Sequence, residues 1–329
     1  MALLITWWLG YIGSHTAVVF ANAWYDVVLV DNLSNSKRSV LEHINSLTPK
    51  PLTFYHCDIG DQEALSKIFA SHSLDAVIHF AAYKAVGESC EKPFVYYKNN
   101  IEGSLALFEL MDRYNVKHII FSSSATVYDQ TCIPPFLETD RLGTTNPYAT
   151  TKLVIEHLLH DLALHKWFRA VCLRYFNPIG AHPSWTIGED PAGIPNNLLP
   201  YIFRVADWSL AKVSVFGNDY VTRDGTWVRD YIHVMDIAQA HILAYEKKWL
   251  PNFETFNIGT GEWSTVLEII DLVQKITGKE IPYELAPRRP WDVAVLLPNP
   301  DKAKRILWRE AIRTVEDAIH DGWKFIQWF

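Results

Sequence analysis

Tyr148-Ala149-Thr150-Thr151-Lys152 places a phenol and an amine four residues apart, on one face of any helix that carries them. A phenol titrates near ~10 and is a poor base at neutral pH, but an adjacent ammonium stabilises its phenolate. Ser122-Ser123-Ser124 lies 24 residues upstream of Tyr148, and a hydroxyl such as that of Ser124 can donate both to the phenol oxygen and to a substrate. Such a set removes a proton from an alcohol while a hydride leaves to a nicotinamide. A second set could bind that nicotinamide carrier. Gly10-Tyr11-Ile12-Gly13 has the spacing of the last two glycines of a dinucleotide fingerprint, and Asp31 stands about 20 residues on, where a carboxylate accepts from a ribose hydroxyl and favours NAD over NADP.

These residues need strands that end at them and helices that start at them, and the hydrophobic pattern supplies both. β-branched runs predict strands at residues 3–6, 26–30 with Asp31 closing the second, 52–55, 76–80, 118–122 and 170–175. Helical periodicity predicts helices at residues 14–23, 63–71, 99–114 and 148–165. Strands alternating with long helices predict βαβ units and an α/β, doubly wound parallel sheet of Rossmann-like type. After residue 176 the density of Pro178, Pro183, Pro191, Pro195 and Pro200 breaks that rhythm. The division expected is 1–176 for dinucleotide binding and 177–329 mainly for a smaller substrate-binding lobe, with some chain returning to the first unit.

Composition narrows the class. The 329 residues carry 37 Asp and Glu against 30 Lys and Arg, a net charge of -7, which argues against a nucleic-acid partner. No apolar run approaches the ~20 residues that cross a bilayer, so no membrane association is expected. Cys57, Cys90, Cys132 and Cys172 form no CxxC pair and no zinc cluster, which fits a reducing, cytoplasmic setting without a metal. His79, His182 and His233 read as structural histidines rather than ligands. Fifteen Gly against 13 Trp is the unusual count, and it becomes positional below.

The ordered series Gly10-Tyr11-Ile12-Gly13-Ser14-His15-Thr16, Asp31-Asn32-Leu33-Ser34-Asn35-Ser36, Lys84 to Ser89, Ser122 to Tyr128, Arg174-Tyr175-Phe176-Asn177-Pro178, Gly188-Glu189-Asp190-Pro191, Ile194 to Leu198, Arg229 to Val234 and Pro287-Arg288-Arg289 resembles the UDP-glucose 4-epimerase family, extended short-chain dehydrogenases/reductases. The resemblance runs from Ile5 to about Trp308. It implies bound NAD and reversible interconversion of UDP-galactose and UDP-glucose through a 4-keto sugar, with Tyr148, Lys152 and Ser124 as the catalytic set. It also implies a cofactor lining of Gly10, Tyr11, Ile12, Gly13, Asp31, Asn32, Leu33, Ser34, Asn35, Ser36, Asp58, Ile59, Phe80, Ala81, Ala82, Tyr83, Lys84 and Asn99. Tyr148, Lys152 and Phe176 then lie near the nicotinamide. UDP-hexose falls to Ser124, Tyr148, Asn177, Asn197, Leu198, Arg229, Arg289 and Asp292, with Asp292 accepting from the uridine ribose. Family members usually pair as homodimers through two helices matching residues 99–114 and 150–165.

The chain departs from the family pattern at its glycines. Trp7 and Trp8 replace the two early glycines of the first turn; Trp24, Trp185, Trp227, Trp263 and Trp291 stand at further positions of the same kind, and Ala82 and Asp129 replace two more. A non-Gly residue forced to positive φ costs about 1 to 2 kcal/mol. Leu296 and Leu297 sit in a wall that bears on N-acetyl discrimination, and Trp308, Trp323 and Trp328 read as packing or subunit contact. Two alternatives to epimerisation stay open at this level: a silent epimerase fold that has lost the cofactor through Trp7 and Trp8, and a UDP-sugar dehydratase or decarboxylase.

Overall fold

The computed structural model describes residues 1–7, 9–191, 193–289, 292–307 and 311–328. Expectations that fall on Trp8, Trp291 and Trp308 therefore lie outside the described residues. Seven strands form the central sheet: β1 (Ala2–Thr6), β2 (Asp26–Asp31), β3 (Thr53–His56), β4 (Leu74–His79), β5 (His118–Ser124), β6 (Arg169–Tyr175) and β7 (Phe253–Ile258). Their spatial order is β7-β6-β5-β4-β1-β2-β3 and every pairing is parallel. This is the expected doubly wound sheet, with its order reversing between β1 and β4, where ligands of such folds bind.

Both faces are covered, as parallel sheets require. One face packs α1 (Tyr11–Asn22), through Val18 and Phe20, together with Ile237 and Ala240 of the helix Val234–Glu246. The other packs α2 (Gly103–Arg113) and α3 (Pro147–His165) through Leu107, Phe108, Ile155 and Leu159. β7 and the helix Val234–Glu246 both come from beyond residue 176, so the chain crosses back into the sheet after building part of the second lobe. That lobe has its own core, where Phe203, Val215, Ile270 and Trp323 pack together.

Several boundaries differ from the sequence pattern. α1 begins at Tyr11 rather than residue 14, because Gly10 takes the extended N-cap geometry. The helix expected at 99–114 is the last part of a longer run, Pro93–Tyr96 followed by a π-helical turn Tyr97–Glu102 and then α2. Asn100 in that turn is buried and is tied to Tyr83 and to Thr151 of α3, which is the order such turns often bring to functional sites.

Among the described residues, five tryptophans have left-handed backbone: Trp7 (φ 50°), Trp24 (φ 65°), Trp167 (φ 61°), Trp185 (φ 63°) and Trp208 (φ 68°). Trp24 sits just past the end of α1, where its N–H bonds the Ala21 carbonyl and that of Tyr25 bonds Phe20, a pattern that selects glycine. Trp167 follows α3, and Trp208 follows α4 (Leu198–Ala206). A contrasting helix, Val266–Thr277, ends on a glycine, Gly278, at φ 66°. Trp227 and Trp263 do not share the strained backbone, while Trp167 and Trp208 do without any sequence signal having marked them.

Several imidazoles are drawn out of water by the packed interior. Burial holds His15, His79 and His118 down to about 3 and His182 and His241 to about 4. His79, for example, is bonded between Thr6 Oγ1 and Ser104 Oγ while neutral. In the unfolded chain each binds a proton below pH 6.5, so native stability is full above that pH and is lost as pH falls toward 3 or 4. Asp230, raised to about 6 by burial, binds one proton in the opposite sense. The net difference of about four protons removes about 5 kcal/mol per pH unit, enough to exhaust a typical stability within two or three units. Acid unfolding followed by circular dichroism is expected to have its midpoint between about pH 4 and 5.5; a midpoint below pH 3 would contradict it.

Candidate active site

Asn146 starts α3 as its N-cap: its side chain accepts from Ala149 N–H at 2.9 Å, and Pro147 occupies the first turn. This fixes the helix register that turns Tyr148 and Lys152 toward the carboxyl end of β5. Lys152 is buried and donates from Nζ to the Ser122 carbonyl at 2.6 Å. The same nitrogen lies 4.9 Å from the Phe121 ring centroid and 6.0 Å from that of Tyr148. Burial pushes the Lys152 ammonium down to about 7, and Glu156 partly restores it. Glu156 itself is held by Arg174 at 2.6 Å and by Ser123 Oγ.

Ser124 accepts from Thr126 N–H at 3.2 Å and from Thr126 Oγ1 at 2.9 Å. A hydroxyl has two acceptor sites and one proton, so the remaining proton is free to donate. Facing Tyr148, it opposes the rise that burial imposes on the phenol. The expected trio thus converges at one point of a cavity of about 1300 Å³, above the usual 300–1000 Å³ range for ligand pockets and roomy enough for a two-part ligand.

The same cavity collects residues from the second lobe, including Asn177, Asn197, Leu198, Arg229, Arg289 and Asp292. Arg229 is buried, donates to the Val228 carbonyl and stacks 4.6 Å from the Trp227 ring centroid. Burial lowers it to about 10, and no carboxylate among the described residues forms an ion pair with it. A buried guanidinium with no carboxylate in direct contact is a ready site for a diphosphate. Arg289 is different. Its Nε and Nη2 bond both oxygens of Asp292, at 2.7 and 3.0 Å, and its guanidinium lies over Phe216.

Cofactor-side residues divide between two openings. Gly10, Tyr11, Ile12, Gly13, Asn35, Ser36, Phe80, Lys84 and Phe176 line the large cavity. Asp31, Asn32, Ser34, Asp58, Ile59, Ala81, Tyr83 and Asn99 line a second one of about 20 Å³, and Ala82 borders both. Leu33 lines neither and packs on the core instead. Asp31 is buried at the end of β2 and accepts from Leu9 N–H, Leu33 N–H and Ser36 Oγ. Three bonds leave about one further acceptor site on the carboxylate.

The sequence alone assigns no role to Glu189 of Gly188-Glu189-Asp190-Pro191. It accepts from both Lys84 and Asn197, linking a residue on the sheet side to one on the lobe side. Phe216 and Tyr201 also line the large cavity without any local signal for it. Leu296 is on its wall. Trp323 packs in the lobe core, whereas Trp328 is half exposed against His43.

A model of the NAD dependent epimerase/dehydratase family matches residues 3–259, so the chain belongs to that family. Its relatives there are UDP-glucose 4-epimerases, which are isomerases. The enzyme of Bacillus subtilis (strain 168) is 51% identical over 99% of this chain and 96% of its own length, and that of Yersinia enterocolitica 48% over 99% and 97%. Among solved structures, the UDP-glucose 4-epimerase of Stenotrophomonas maltophila with bound NAD and formylated UDP-arabinopyranose superposes with a TM-score of 0.96 at 44% identity, covering 99% of this chain and 98% of that one. The Bifidobacterium longum enzyme in complex with NAD+ and UDP gives 0.96 at 43%, with the same coverage. These relatives favour epimerisation over the dehydratase, decarboxylase and silent-fold alternatives.

Proposed function

We propose that the protein interconverts UDP-galactose and UDP-glucose with NAD as its cofactor. The observation that carries this reading is that Ser124, Tyr148 and Lys152 open into the same cavity as the unpaired, buried Arg229. Proton-transfer chemistry and a diphosphate site therefore face one another.

In this reading Tyr148 takes the proton of the 4′-hydroxyl, Lys152 stabilises the phenolate as an ammonium, and Ser124 donates to the reacting oxygen. Arg229 anchors the diphosphate, and Asn177, Asn197 and Leu198 border the sugar. Arg289 and Asp292 act as a pair at the uridine end. Asp292 holds the guanidinium through both oxygens, and because each oxygen keeps a second acceptor site it can also accept from the uridine ribose. NAD, when bound, supplies the acceptor and then the donor of the C4 hydride. Asp31 suits its adenosine ribose, and Tyr148, Lys152 and Phe176 its nicotinamide end; among the described residues of this lining, Trp7 is one whose bulk works against it.

Residues 1–176 then serve the cofactor and 177–329 mainly the sugar nucleotide, with the helix Val234–Glu246 and β7 returning to the sheet. A homodimer is proposed through the outer faces of α2 and α3, where Leu105 and Leu164 are exposed. A cytoplasmic location is proposed from four free cysteines; no helix among the described residues is long and apolar enough to cross a membrane. With NAD supplied in excess, purified protein is expected to convert UDP-galactose to an equilibrium mixture with UDP-glucose, read by nucleotide chromatography, with no net NADH. Absence of conversion under saturating NAD would overturn the proposal.

A further inference from the structure

Trp7 directly follows β1 at φ 50°, and its indole stands between the two openings, bordering both. It meets Tyr83 edge-on at 5.9 Å and packs against the cores on both faces of the sheet. Its Nε1 is buried and finds no partner among the described residues. The smaller opening, which holds the ribose-accepting Asp31, has about 20 Å³, room for about one water and far too little for a nucleoside. The larger one holds Tyr148 and Lys152. A dinucleotide with one nucleoside at Asp31 and the other at Tyr148 must run its pyrophosphate across the seam that Trp7 fills.

We infer that Trp7 sets how tightly this protein holds NAD: the indole is a plug in the dinucleotide groove, and the cofactor binds only when the plug has swung out. This rests on NAD being the cofactor. Binding is therefore weakened by the cost of unseating a half-buried indole, about ten- to a hundredfold in affinity. UDP binding is left unchanged, since Arg229 and Arg289 are held by Val228, Trp227, Phe216 and Asp292 of the second lobe rather than by Trp7. NAD is accordingly an exchangeable ligand here.

The test is calorimetric titration of NAD, and separately of UDP, into the unaltered protein, Trp7→Gly and Trp24→Gly. Trp7→Gly both relieves the left-handed strain and removes the indole; Trp24→Gly relieves comparable strain at an 81% exposed site outside the groove. Expected are NAD affinity raised about ten- to a hundredfold in Trp7→Gly alone and equal UDP affinity in all three. A larger share of purified Trp7→Gly should also release NAD on heat denaturation. Equal NAD affinity in the unaltered protein and Trp7→Gly, or equal tightening in Trp24→Gly, overturns the plug while leaving the cofactor reading intact. If Trp7→Gly binds UDP but not NAD, the cofactor reading itself fails, and the plug with it.

Discussion

Tyr148→Phe is expected to lower kcat for UDP-galactose by about 10²- to 10⁴-fold, the range that a positioned general base contributes, while UDP affinity stays within twofold or so. The substitution keeps the ring that Lys152 approaches at 6.0 Å and removes only the oxygen that Ser124 addresses. α3 keeps its N-cap at Asn146, so the helix and the seat of Lys152 are retained. Calorimetry with UDP and initial rates with saturating NAD separate the two effects. A variant that retains more than about a tenth of the rate would remove Tyr148 from the proton transfer. Loss of UDP binding in step with rate would instead show that the site had collapsed.

Replacing Trp24, Trp167, Trp185 and Trp208 together by glycine is expected to stabilise the fold by about 3 to 6 kcal/mol, read as the shift in guanidinium unfolding. Each residue holds φ between 61° and 68°, where a side chain costs about 1 to 2 kcal/mol and glycine nothing. Part of the gain is offset by the greater freedom of glycine in the unfolded chain. Trp24, Trp167 and Trp208 are 81%, 79% and 68% exposed, so little packing is lost with them. Trp185 gives the smallest gain, because its Nε1 bonds Asp321 at 3.3 Å. The matching set of alanine variants isolates the cause, since alanine keeps the strained Cβ. Equal stabilisation by alanine and glycine would contradict the backbone explanation. Trp227→Gly should act oppositely: Trp227 is buried beneath Arg229 and its backbone is unstrained.

Strain of this kind was only partly legible in the residues. Three of the five left-handed tryptophans, Trp7, Trp24 and Trp185, stand where the family pattern has glycine, and so did Trp227 and Trp263, which are unstrained. Trp167 and Trp208 were invisible because nothing local at either position states that a helix stops in left-handed geometry two residues past its end. The hydrogen bonds that demand it, such as Trp208 N–H to the Val205 carbonyl, exist only once the helix has formed.

By itself the sequence determined what short-range physics determines. Periods of two and 3.6 marked the strands and helices, and their alternation required a parallel sheet. A four-residue spacing placed Tyr148 beside Lys152, and a strand end placed Ser124 where it could reach them. The tertiary structure decided everything that joins distant residues. Arg289 took up Asp292 and left Arg229 without a direct ion pair among the described residues, Glu189 came to bridge Lys84 and Asn197, and β7 returned from the second lobe to the sheet edge. Trp7 divided the groove only because β1, β2 and the loop bearing Tyr83 meet around it. Partners a hundred residues apart leave no local pattern: their pairing depends on which surfaces the packed core brings face to face, and that is a property of the whole chain.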